Sequence, residues 1–187
     1  MIRRLVLLFS LLVFVPLAAV ADYRELEALM ATPPSLSGRF EQVKYLAALD
    51  TEIASSGRFA YERDREINWQ TLAPIENMLR LTPERITSEQ AGRVLSQLET
   101  GNNPVVALFS DIFFGVMTAR WSRLAEHFDL QTRIAQSQWQ VTLMPKEPRV
   151  QQVVSKVELQ GGRYLREVVL HEVGGDWTRI RFYDIQQ

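Results

Sequence analysis

From Leu36 onward the chain alternates. Leu36, Gly38 and Phe40 share one parity and Ser37, Arg39 and Glu41 the other, the period of two expected of a strand with one buried face. Ile53, Ser55, Gly57, Phe59 and Tyr61 repeat the pattern, and Ile67–Gln70, Met78–Leu81 and Arg85–Thr87 predict three shorter strands, with Pro74 and Pro83 suited to turns or edges. Ahead of them Asp22 and Glu25 read as a helix cap, and Tyr23, Leu26, Leu29 and Met30 recur near helical period until Pro33 and Pro34 end the helix. Alternation returns late in the chain. Phe128, Leu130, Thr132 and Ile134 share a face, as do Trp139, Val141 and Leu143; Val153, Val157 and Leu159 lead to a hairpin turn at Gly161-Gly162. Leu165, Val169, His171 and Val173 lead to a second turn at Gly174-Gly175, and Trp177 to Ile185 closes the series.

Between Ser88 and His127 the alternation stops. Asn103 before Pro104 marks a helix start and Gly115 a stop, so Pro104 to Phe114 is predicted helical. Its residues are apolar on nearly every face, with only Ser110 and Asp111 polar, and such a helix has to be covered on more than one side. Thr118 reads as the cap of a short successor containing Trp121 and Leu124; Ser88 to Leu98 reads as another helix or an irregular loop. The predicted class is mainly β with α, about ten strands in a single curved antiparallel sheet forming an incomplete, unclosed β-barrel with a helical lid, because a twisted sheet that wide curls.

The first 21 residues stand apart. Arg3 and Arg4, the apolar run Leu5 to Val15 and the triplet Ala19-Val20-Ala21 form the three parts of a secretory signal peptide, so residues 1–21 are expected to be cleaved and 22–187 to be one exported domain. The 187 residues carry 21 basic and 22 acidic side chains; without Arg3 and Arg4 the balance is 19 against 22. That mild acidity speaks against nucleic-acid binding, although Arg163, Arg166, Arg179 and Arg181 are interleaved with aromatic residues in a way that single-strand binders use. Cysteine is absent, which excludes disulfides, a thiolate metal site, a cysteine nucleophile and a lipid anchor on an N-terminal cysteine.

Candidate chemistry is sparse. The two histidines, His127 and His171, have no metal-ligand spacing, no Gly-x-Ser-x-Gly setting occurs, and no glycine-rich loop precedes a helix. Glu62, Asp64 and Glu66, alternating with Arg63 and Arg65, read as a solvated turn, and an enzyme would have to be built from them without a positioned nucleophile or acid-base partner. Neither a metal nor a cofactor is expected. What stands out is hydrophobic: Phe40, Phe59 and Trp69 on consecutive strands, and Val105, Leu108, Phe109, Ile112 and Phe113 on the oily helix. These residues either fill a closed core or enclose a cavity for a lipid-like ligand, the usual design of ligand-holding barrels.

Gly38-Arg-Phe40-Glu-Gln42, then Gly57-Arg-Phe59, then Ile67-Asn-Trp69 followed by Pro74 and a Glu-x-x-Leu pattern at Glu76 to Leu79, resemble the LolA-like outer-membrane lipoprotein carriers. The resemblance implies a non-enzymatic, monomeric periplasmic carrier whose cavity binds the acyl chains of a lipoprotein. The client would come from an inner-membrane exporter and pass to an outer-membrane acceptor. A carrier of another lipid cargo, such as a glycolipid or polyene lipid, is also implied, as is a lipid-responsive periplasmic sensor or regulatory protein of similar fold. It further implies that Arg63 hydrogen-bonds to the lid as its latch. Asp64 stands where the family usually has proline, and pairing of Asp64 with Arg63 or Arg65 would weaken that contact.

Overall fold

The computed structural model describes residues 23–99, 101 and 104–187. The segment read as a signal peptide, Met1–Ala21, and the predicted helix-start residues Asp22 and Asn103 lie outside the described residues. Helix α1 (Arg24–Leu29) buries Leu26 and is followed by the strands of the first half: β1 (Ser35–Leu46), β2 (Thr51–Glu62), β3 (Glu66–Ala73), β4 (Asn77–Leu81), β5 (Arg85–Gln90) and β6 (Arg93–Glu99). Two helices, α2 (Pro104–Met117) and α3 (Trp121–His127), lead to β7 (Phe128–Ala135) and β8 (Gln138–Pro145). A short α4 (Pro148–Gln151) precedes β9 (Val154–Gly161), β10 (Leu165–Glu172) and β11 (Trp177–Gln186).

Among the described residues these eleven strands form one antiparallel sheet in the order β6-β5-β4-β3-β2-β1-β11-β10-β9-β8-β7. Two meanders are thus joined where the last strand returns to the first. The outer strands β6 and β7 do not pair with each other, so the barrel stays open. The chain crosses from one free edge to the other through α2 and α3, which places helices where the closing strand pairs would be. One sheet face carries the core: Leu36 and Phe40 from β1, Phe59 and Tyr61 from β2, and Ile67 and Trp69 from β3 are buried.

Four sequence expectations are corrected by tertiary context. Ser88 to Leu98 is neither helix nor loop: β5 runs on to Gln90 and pairs with β6 across a turn in which Ala91 (φ 49°) and Gly92 (φ 74°) both have positive φ. Every residue of β6 is exposed, so no buried face imprints an alternation on it. Helix α2 does not stop at Gly115 but continues to Met117, and Gly115 lets α3 approach: a Cβ there would lie 2.9 Å from Cδ2 of Leu124. Thr118 caps the helix behind it, its hydroxyl donating to the Phe114 carbonyl at 2.6 Å, and the residue before α3 is Arg120. In β10 a register shift between Leu165 and Glu167 moves the inward face to Val168 and Leu170, turning Val169 and His171 outward.

Beneath the helices, Trp121 of α3 meets Trp139 of β8 edge-on, with ring centroids 5.6 Å apart, and the Trp139 indole N–H donates to the Gly162 carbonyl at 2.7 Å. Among the described residues no helix is long and apolar enough to cross a membrane.

Candidate functional site

The period-two pattern of β1 to β3 brings three aromatic rings together, and Phe182 of β11 and Phe113 of α2 complete a cluster of five. Trp69 and Phe40 stack with centroids 3.8 Å apart, Phe59 meets Phe182 edge-on at 5.3 Å, and Trp69 lies edge-on to Phe182 at 5.9 Å and to Phe113 of α2 at 6.1 Å. Above this cluster, between the two halves of the sheet and α2, the molecule holds a cavity of about 470 Å³. That volume falls within the roughly 300–1,000 Å³ of small-molecule sites. Ile67, Leu79, Leu81 and Ile86 form one wall, from β3 to β5. Val157, Val168, Leu170 and Ile180 form the opposite wall, from β9 to β11. Ile112 and Phe113 reach in from α2. One end differs, since Gln42 and Lys44 of β1, Glu172 of β10 and Thr178 of β11 line it.

Of the residues singled out in the sequence, Trp69, Ile112 and Phe113 line the cavity. Phe40 and Phe59 sit in the aromatic layer packed with Trp69. The side chains of Val105, Leu108 and Phe109 lie outside the described residues, although the backbone of all three belongs to α2. Sequence reading found the strands of Ile67, Leu79 and Ile86 but missed the aliphatic walls, because only the pairing of β3, β4 and β5 sets those residues side by side. It also missed the polar end, for which a signal existed: Gln42 and Lys44 share the parity of Leu36 and Phe40 and so must point inward.

Arg63 opens the turn between β2 and β3, its backbone N–H donating to the Pro34 carbonyl at 2.8 Å. Its guanidinium stands close to the buried phenol of Tyr61, whose pKa is raised by burial while Arg63 pulls it the other way. Its neighbour reaches the helical segment. Asp64 Oδ1 lies 3.0 Å from Arg120 Nη2, in the connection between α2 and α3, while Arg65 pairs with Glu62. Asp64 therefore does not turn back on Arg63 or Arg65. It adopts a φ of 55°, which proline, locked near −65°, cannot reach.

On the outer face, Glu158 accepts from Lys156 Nζ at 2.8 Å and lies 2.7 Å from His171 Nε2. The Lys156 hydrogen bond, aided by His171, holds the Glu158 carboxyl below its ordinary pKa against the opposing effect of burial. This cluster faces away from the cavity.

Among the described residues the fold is one unclosed antiparallel sheet with a few helices, and solved structures resemble this chain at low sequence identity. They include a LolA superfamily protein from Nitrosomonas europaea, at 7% identity over 87% of this chain and 90% of that one with a TM-score of 0.47. A domain described as outer membrane lipoprotein-sorting, from Vibrio parahaemolyticus, matches at 10% identity over 87% of this chain and 89% of that one, TM-score 0.46. The MucA/MucB complex of Pseudomonas aeruginosa matches at 15% identity over 81% of this chain and 51% of that chain, TM-score 0.42. No protein-family model and no curated protein matches the sequence. The cavity is a property of this chain's own residues.

Proposed function

We propose that the protein is a periplasmic, non-enzymatic carrier that takes the acyl part of a lipoprotein or other lipid into the cavity and shuttles it from the inner to the outer membrane. The observation behind this reading is the apolar cavity of about 470 Å³ between the sheet and α2. A methylene fills about the same ~30 Å³ that a water occupies in the liquid, so the space suits a chain of roughly fifteen methylenes. At about 0.8 kcal/mol each, burying them contributes on the order of 12 kcal/mol. The lost freedom of association offsets about 4–15 kcal/mol of that. The difference leaves at most about 8 kcal/mol, roughly micromolar affinity, which suits a cargo that must be both held and released. Opening a lid that is a few kcal/mol more stable closed than open then suffices for exchange.

The test is mass spectrometry of the protein isolated from its own compartment, together with uptake of an anthroyloxy-labelled fatty acid by the purified protein. A bound acylated species and saturable uptake are expected. An isolated protein free of lipid, with no saturable uptake, would overturn the reading.

A further inference from the structure

The polar end of the cavity holds groups that a hydrocarbon chain does not use. Lys44 Nζ donates to Glu172 Oε1 at 3.0 Å, and the bond spans an intervening strand: Lys44 is on β1, Glu172 on β10, and between them Thr178 of β11 lies directly opposite Lys44. Gln42, two residues along β1 on the same inward face, adds an amide. The lysine side chain is 36% exposed and the glutamate 25%, so both charges remain partly wet at the cavity's end. A cargo made only of hydrocarbon would strip that water without replacing its hydrogen bonds, which costs free energy for each ion. The cargo that fits this end therefore carries polar groups of its own.

The charges indicate which. This end has one ammonium, one carboxylate and two neutral hydrogen-bonding side chains. A singly anionic head drawn to Lys44 would sit against Glu172, and a singly cationic head drawn to Glu172 would sit against Lys44. A head bearing both charges can satisfy both residues, because an anionic oxygen accepts from Lys44 while a cationic N–H donates to Glu172, each as a charge-assisted hydrogen bond. The cavity volume, sized for one chain, sets the number of tails.

We propose that this end of the cavity is a headgroup site selecting a single-chain zwitterionic amphiphile, with phosphate at Lys44, ammonium at Glu172, and the acyl chain running toward Trp69 and Phe113. This deepens the carrier reading and rests on it. The purified protein is titrated by calorimetry, below the micelle threshold, with three lipids sharing one myristoyl tail: lysophosphatidylethanolamine, the anionic lysophosphatidylglycerol, and uncharged monomyristoylglycerol. The zwitterionic lipid is expected to bind about tenfold more tightly than either of the others, the worth of one charge-assisted hydrogen bond gained or one like-charge contact avoided. Lys44→Met and Glu172→Gln should each abolish that preference while leaving monomyristoylglycerol binding in place, which also shows that the variants fold. Exchanging the charges, Lys44→Glu with Glu172→Lys, should restore it. Equal binding of all three lipids, or a preference that survives both single substitutions, overturns the headgroup site and leaves the carrier reading standing. Failure of all three to bind removes the carrier reading itself.

Discussion

Phe40 on β1 lies directly across the strand pair from Gly57 on β2, with its ring where a glycine side chain would stand: a Cβ on Gly57 would come within 2.9 Å of the Phe40 ring. The relationship is reciprocal, since Phe59 covers Gly38, so the two Gly-Arg-Phe tripeptides pair head to tail with Arg39 opposite Arg58. The repeated motif is one packing device used twice, and it sets the aromatic layer on which the cavity rests.

Gly57→Ala should be strongly destabilising. Its Cβ would also fall 1.9 Å from the backbone oxygen of Gln70, which cannot rotate away. Gly38→Ala meets chiefly the Phe59 ring, at 2.8 Å, with a backbone oxygen at 3.0 Å. We expect Gly38→Ala to cost about 1–3 kcal/mol and Gly57→Ala to exceed it, as overpacking against fixed backbone does. Urea denaturation of both variants checks the order; equal losses would contradict it.

Filling the cavity should block cargo without harming the fold. Leu79 is only partly buried on its wall, so Leu79→Trp can extend into the empty space. Acyl-probe uptake is expected to fall to background while the melting temperature stays level or rises. Uptake at the parental level would mean that cargo sits elsewhere.

The Asp64–Arg120 pair ties the β2–β3 turn to the helical segment, and both partners are about half exposed. At that exposure its net worth is about 0.2–1 kcal/mol, so Asp64→Asn should scarcely change stability yet speed release of the acyl probe by up to about fivefold. Exchanging the two charges should restore the slow release, and added salt should erase the difference between the parent and Asp64→Asn. Asp64→Pro, by contrast, should unfold the turn, because the site requires positive φ. Stopped-flow dilution of loaded protein measures the first effect and circular dichroism the second.

Glu158 carries the clearest acid dependence. Its carboxyl is held below the ordinary value of 4.5, first by the Lys156 hydrogen bond and then by that of His171. A depressed carboxylate contributes stability that is fully present above the ordinary value and is lost as pH falls through its lowered midpoint. An NMR titration of the Glu158 side chain should therefore show a midpoint below 4.5 that moves up toward it in Lys156→Met. An unchanged midpoint in the variant would show that the lysine does not set it.

The alternation around Phe40, Phe59 and Trp69 was sufficient to determine the strands, their inward faces and the single curved sheet, because a period of two leaves one assignment of faces once one side is buried. The apolar stretch after Pro104 likewise determined a helix. Where burial was missing, as in β6, or where a bulge shifted parity, as in β10, the local pattern carried no information and neighbouring strands decided. Tertiary structure alone decided that β6 and β7 are the strands at the open edges, and that Asp64 meets Arg120 of the helical segment. It alone brought Lys44 and Glu172 together across β11. Residues 128 positions apart meet only through sheet order, and sheet order follows from how the whole curved surface closes on its core rather than from any segment's own pattern.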